Sequence, residues 1–244
     1  MNTDSTDNSL SMANPLLITI DGPAGAGKTT VSRLLSARLG YRYLDSGALY
    51  RSVAYSIIAD GIDFEDTEAL STHLNRLDLS TRAEQNGFRL LWNKRDITEL
   101  IRTPEIAMTA SVVSARPAIR NFLLAVQREM GKNKSLVCEG RDMGTVIFPD
   151  ADIKFYLDAD PRVRASRRYK EIPQGTAATL EDISRDMLRR DKNDTQRPIA
   201  PLKASEDAIL IDCTSIDSEN VVNQMMDFIA STIQNGSRKL SRTI

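Results

Sequence analysis

A chain of 244 residues with 41% apolar and 27% charged residues suits one sizeable globular domain with room for inserted segments. Its formal net charge of −1 argues against a general nucleic-acid binder, although near-neutrality can hide a local basic cluster. No apolar run approaches the ~20 residues that cross a bilayer, and two isolated cysteines, Cys138 and Cys213, offer neither a disulfide framework nor a metal spacing.

Residues 1–14 are polar, lack Arg and Lys and hold two Asp, which reads as a disordered tail rather than a secretory signal or transit peptide. From there, strand and helix patterns alternate, the signature of an α/β parallel sheet with helices on both faces. Strands are expected at 16–20, 41–45, 135–139, 152–157 and 208–212. Helices are expected at 28–39, 47–60, 105–114, 117–130, 160–170, 179–193 and 217–233. Pro117 and Pro161 each sit near a first helical position, where a missing N–H costs nothing.

Two stretches break the alternation. Between about 61 and 104 the runs Leu77–Thr81 and Phe88–Trp92 flank Asn86-Gly87, a strong hairpin signal, so a small β insert is expected there. The stretch 171–179, with Pro173 and Gly175, reads as a mobile loop, and 235–244 as a frayed polar tail. Cys138 and Cys213 fall within apolar strand-like runs and read as buried thiols of a reducing cytoplasm. His73, the single histidine, lies in the helical-looking stretch 67–77 with little chemistry around it, so a surface or packing role is expected.

The most specific motif is Gly22-Pro23-Ala24-Gly25-Ala26-Gly27-Lys28-Thr29, a phosphate-binding loop placed between the first strand and the first helix. Glycine lets backbone N–H groups turn inward around a polyphosphate, and the helix N-terminus adds partial positive charge. Lys28 suits the β/γ-phosphates, Thr29 suits Mg²⁺, and Thr30 opens the helix. A nucleoside triphosphate site follows. The motif by itself does not separate kinases from motors, switches or transporters.

The acceptor side must come from other strand ends, where ligands of doubly wound sheets collect. After the second strand, Ser46 and Arg51 approach the same crevice; Asp45 could serve there or simply cap the next helix. After the third, Arg141 and Asp142 emerge together between glycines. The guanidinium suits a bidentate phosphate contact and the carboxylate an amino group or hydroxyl, with a mutual ion pair as the alternative. Eight arginines then crowd 162–197: Arg162, Arg164, Arg167, Arg168, Arg185, Arg189, Arg190 and Arg197. Guanidinium groups stabilise charge on a transferring phosphoryl group. Glu181, Asp182, Asp186 and Asp191 are positioned to satisfy about half of them in structural pairs. A nucleotide switch is disfavoured: Asp142-Met143-Gly144 is one residue short of the γ-phosphate sensor, and Asn133-Lys134-Ser135-Leu136 fails the base-selective motif. Another small-molecule kinase on the same core, acting on AMP, UMP or a metabolite such as shikimate, is the nearer rival.

The segments GPAGAGKTT, LDSGALYR, SARPAIRNFLLAVQR, EGRDMGTVIFPDA and RRDKNDTQRPIAPL, in this order and spacing, resemble bacterial-type cytidylate kinases over about 16–233. The resemblance implies a P-loop nucleoside monophosphate kinase domain over 15–234, with a nucleotide-binding insert at about 61–131 and a helical lid at about 160–197. It implies transfer of the γ-phosphoryl group of ATP to CMP or dCMP with Mg²⁺, by a cytoplasmic monomer without nucleic-acid or membrane partners. It puts Ser46, Arg51 and Arg141 on the acceptor phosphate and Ser111, Arg120 and Asp142 on the cytosine. Arg190 and Asp194 fall to the sugar and Arg197 to a phosphate. Arg164, Arg167 and Arg168 match lid residues over the donor phosphates; Lys28, Arg141, Arg190, Arg164 and Arg168 make up the implied catalytic set. Glu139 stands where other members often carry Asp, and Pro198 where a small residue is common.

Overall fold

The computed structural model describes residues 15–84, 87–172 and 178–240. The expected tail 1–14, Asn86 of the hairpin turn, and Pro173 and Gly175 of the loop lie outside the described residues. Five strands form one sheet in the order β2-β6-β1-β7-β8, every neighbouring pair parallel: β1 (Leu17–Asp21), β2 (Arg42–Asp45), β6 (Leu136–Gly140), β7 (Ile153–Asp158) and β8 (Ile209–Asp212). All five expected strands are present to within a residue or so. They are legible because both faces are covered, so β1 and β6 are buried at every position and read as apolar runs rather than alternations.

Helices α1 (Lys28–Leu39) and α8 (Ser218–Leu240) cover one face, around a core of Ile18, Ile20, Leu35, Phe155, Val222 and Met225. Helices α2 (Ser46–Ala59), α4 (Pro104–Val113) and α5 (Pro117–Gly131) cover the other, around Leu44, Leu49, Val53, Ile119 and Leu123. α8 runs on to Leu240, beyond the tail boundary expected at 235.

The insert holds α3 (Thr67–Arg76) and an antiparallel sheet of β3 (Leu79–Glu84), β4 (Gly87–Trp92) and β5 (Arg95–Asp96). Leu90 of β4 and Ile97, just after β5, are buried in the same core as α2 and α5, so the insert is grafted onto the main body and shares its interior. His73 is a packing residue there, its Nε2 2.9 Å from Ser56 Oγ. Both cysteines are free and buried.

The stretch expected to form a lid holds two helices, α6 (Pro161–Lys170) and α7 (Leu180–Gln196). Asp160 caps α6 by accepting from the Arg162 N–H, and Thr179 and Asp182 form a capping box at the start of α7. None of the described helices is long and apolar enough to cross a membrane. Ile20, on the central strand and fully buried, reports the main core. Ile20→Ala should cost about 2–5 kcal/mol in denaturant unfolding, and a loss under ~1 kcal/mol would contradict that placement.

Candidate active site

Strand β1 delivers the chain into the loop 22–27 at the carboxyl edge of the sheet. Gly22 has φ +149°, and a Cβ there would stand 2.0 Å from the Leu157 carbonyl oxygen, so only glycine turns the chain this close to β7. Lys28 is buried at the start of α1 and donates from Nζ to the Pro23 carbonyl at 2.7 Å, folding its charge back over its own loop. Glu139, at the end of β6, accepts from Tyr43 and has the Thr29 hydroxyl nearby. Burial, and then the Asp45 carboxylate, push the Glu139 carboxyl up.

Asp21, which the motif did not single out, ends β1 and is buried. It accepts from the backbone N–H groups of Met143 at 2.9 Å and Gly144 at 2.8 Å. These begin a π-helical turn, Met143–Ile147, that follows β6. Burial pushes the Asp21 carboxyl up to about 6 against the pull of those two N–H groups.

The acceptor side contains two charge clusters. In one, Asp142 is sandwiched between guanidinium groups: Arg120 pairs with its Oδ2, and Arg197 Nη2 donates to its Oδ1 at 3.2 Å. All three residues are at most 8% exposed. Arg197 also donates to Ser114 Oγ and, through Nε, to the Ala200 carbonyl. Each nitrogen of Arg197 thus has a protein partner, one of them Asp142, the residue expected at the base. In the other cluster, Arg141 Nε donates to Asp194 Oδ2 at 2.9 Å, and the Ser111 hydroxyl to Asp194 Oδ1 at 3.3 Å. Ser111 links the two clusters: its carbonyl accepts from Ser114 Oγ at 2.8 Å, and Ser114 in turn accepts from Arg197 and Arg120 beside Asp142. Arg141 and Asp142, adjacent in sequence, each take a different partner, and the mutual ion pair does not form.

Asp45 is the N-cap of α2, accepting from the Ala48 N–H, and also pairs with Arg51 at 2.9 Å. Ser46 starts that helix with its hydroxyl against β6: a Cβ on Gly140 would come within 2.6 Å of Ser46 Oγ. Arg51 and Arg190 each bury an Nε–H with no acceptor. Burial, and then the positive charge of Arg141, pull the Arg190 guanidinium down to about 10. Guanidinium groups of this kind, crowded and short of acceptors, call for an anion.

The lid arginines divide. Arg164 is buried and committed to protein atoms: the Ala159 carbonyl, the Ala24 carbonyl at 3.0 Å and Asp191 Oδ2 at 2.5 Å. Arg167 pairs with the Cys213 carbonyl, and the half-exposed Arg168 with Glu171 at 2.9 Å. Arg185 and Arg189 meet Asp182 and Asp186 on the surface, as expected of structural pairs. A separate concavity of about 630 Å³ between α3 and β4, lined by Asp60, His73, Arg76 and Trp92, includes none of the motif residues.

The cytidylate kinase family model matches residues 18–231, which takes in both charge clusters, the loop and the lid. The chain belongs to the cytidylate kinase family. Among its relatives, the cytidylate kinase of Carboxydothermus hydrogenoformans is 41% identical over 213 residues, 87% of this chain and 96% of that one. That of Geobacter sp. strain M21 is 41% identical over 226 residues, 92% of this chain and 97% of that one. A gluconokinase structure from Sinorhizobium meliloti 1021 superposes with a TM-score of 0.49 at 12% identity, over 92% of this chain and 97% of that one. As a cytidylate kinase family member the chain is a phosphotransferase that binds nucleotide substrates.

Burial, and then the Arg141 charge, pull the Lys28 ammonium down to about 7. A polyphosphate would restore its proton and raise that value towards the ordinary lysine range. Binding of ATP is therefore expected to take up a proton and to weaken as pH rises from 7 to 9. Calorimetry in buffers of different ionisation heat measures this directly; pH-independent binding without proton uptake would show Lys28 already charged.

Proposed function

We propose that the chain transfers the γ-phosphoryl group of ATP to the phosphate of CMP or dCMP, giving CDP or dCDP and ADP, as a step of pyrimidine nucleotide metabolism. It acts as a monomer, both nucleotide sites coming from one chain. The observation that carries the acceptor assignment is the pair of buried, acceptor-less Nε–H groups on Arg51 and Arg190 beside Arg141. A nucleotide phosphate satisfies both and relieves the crowding of like charge.

In this reading Ser46, Arg51, Arg141 and Arg190 hold the acceptor phosphate, Asp194 the sugar, and Ser111 with Arg120 and Asp142 the cytosine. Asp142, held by Arg120 and Arg197, faces the cytosine amino edge. Cytosine offers a donor at C4 that a carboxylate accepts from; uracil offers a carbonyl that the same carboxylate repels. Buried mismatches of this kind discriminate strongly, because polar groups are left unpaired.

The residues around Thr29 fit Mg²⁺. Its hydroxyl lies near the Glu139 carboxylate, so a hard-oxygen donor and a nearby acidic group stand beside the phosphate loop, as suits an ion that keeps waters and substrate phosphates as its other ligands. Thr29 would hold the ion, which when bound neutralises charge on the β- and γ-phosphates. The acceptor phosphate oxygen is anionic at neutral pH, so attack needs no general base, and none of the acceptor-side residues is a histidine. Catalysis rests on alignment and charge stabilisation by the loop N–H groups, Lys28, Arg141 and Arg190. Arg167 and Arg168, on the outer turn of α6, are proposed to reach the donor phosphates when ATP is present. Arg164 serves the same site by holding the loop.

The test is an acceptor panel with Mg²⁺ and ATP, following ADP. CMP and dCMP should be phosphorylated well ahead of UMP and AMP; a preference for another acceptor would overturn the assignment. Lys28→Ala and Arg190→Ala should each lower kcat by about 10²–10³ with the fold retained by circular dichroism. Wild-type turnover in either variant would remove that residue from the mechanism. Asp142→Ala should raise KM for CMP and collapse the CMP-over-UMP ratio of kcat/KM by about tenfold or more. An unchanged ratio would remove Asp142 from base selection.

A further inference from the structure

One turn of α7 touches both nucleotide sites. Towards the acceptor, Arg190 lies within electrostatic reach of Arg141 and Arg51, and Asp194 binds Arg141 and Ser111. Towards the donor, Asp191 Oδ1 accepts from the Ala24 N–H at 3.3 Å, and its Oδ2 pairs with Arg164, whose Nη1 also donates to the Ala24 carbonyl. Both backbone groups of Ala24, at the apex of the phosphate-binding loop, are thereby held by the lid. Met187, one turn earlier, packs on Ala24 and Ala165; a Cβ on Gly25 would stand 2.7 Å from Met187 Cε and 2.9 Å from the Arg164 carbonyl oxygen. The lid and the loop therefore interlock at van der Waals distance.

From this arrangement we infer that α7 is the element that couples the two nucleotide sites, with Asp191 the positioning residue that joins it to the phosphate-binding loop. An acceptor phosphate drawn to Arg190 and Arg141 fixes the 190–194 turn. Because Asp191 lies in the same turn, the loop apex is fixed with it, and the donor then binds a loop whose ordering cost is already met. Asp191 touches neither nucleotide in this scheme and acts through Ala24 and Arg164. The inference rests on the two-site reading above.

Calorimetry on the full chain tests it, using Mg²⁺ with the non-hydrolysable analogue adenylyl imidodiphosphate, titrated with and without saturating CMP. In wild type, CMP should tighten analogue binding by about tenfold. Asp191→Ala should bring that ratio to about one, while the affinity for CMP alone stays within about twofold, a separation that general loss of structure would not produce. Asp191→Asn keeps an oxygen for the Ala24 N–H and should retain part of the coupling. Met187→Ala, at the same contact, should lower the ratio severalfold and decides the matter if Asp191→Ala does not fold. A ratio that stays near ten in the folded variants, or a wild-type ratio of one, overturns the inference. Turnover of CMP by the wild type in parallel keeps the two readings apart: phosphorylation with no coupling sinks only this one, and no phosphorylation sinks the assignment beneath it.

Discussion

Asp21 accepts hydrogen bonds from the backbone N–H groups of Met143 and Gly144, and those two bonds set the geometry of the whole cleft. Asp21 is the last residue before the phosphate-binding loop, and Met143 follows immediately after the Arg141-Asp142 pair. A buried carboxylate thus clamps the donor loop's entry to the segment that supplies the acceptor side. The cost is visible in the carboxyl itself, raised to about 6 because burial disfavours its charge more than two N–H donors compensate. The π-helical turn 143–147 that begins at this clamp lets the chain leave β6 and bend beneath the loop, with the Ile147 N–H reaching back to the Asp142 carbonyl.

Around this clamp the cleft is arranged by unequal satisfaction of charge. Asp142 has two guanidinium partners and Asp194 has one guanidinium and one hydroxyl, so the carboxylates are held rigidly. Burying such pairs brings little net stability, because desolvation offsets their attraction, but it fixes direction. Arg51 and Arg190, by contrast, keep buried N–H groups free of acceptors. Rigid carboxylates and underused cations side by side suit a ligand that brings an amino edge at one end and a phosphate at the other.

The sheet was legible because parallel strands covered on both faces are mostly apolar, as Leu17–Ile20 (Thr19 apart) and Leu136–Cys138 are. The phosphate-binding loop was legible because its backbone geometry demands glycine at set positions. Partner choice among the charges was not. Arg141 and Asp142 are neighbours in sequence, yet they pair with Asp194 on α7 and with Arg120 on α5, contacts made only once distant helices pack. The same holds for Ser111 and Arg197, whose partners Asp194 and Asp142 lie on elements far away in sequence. Asp21 and Asp191 carry no local signal either: one looks like a strand end and the other like one more charge on a salt-bridged helix. The continuation of α8 past residue 235 escaped because Asn235-Gly236 reads as a stop.

The central claim of the proposed function is that a buried carboxylate, Asp142, receives the amino group of the cytosine. Nuclear magnetic resonance of CMP labelled with ¹⁵N at the 4-amino group tests it most directly. On binding, the two amino protons should separate, one moving downfield, and their exchange with solvent should slow by about tenfold or more as the group leaves water. In Asp142→Ala the downfield proton should return towards its free position. Amino protons of bound CMP that still exchange as fast as in free nucleotide would contradict the account.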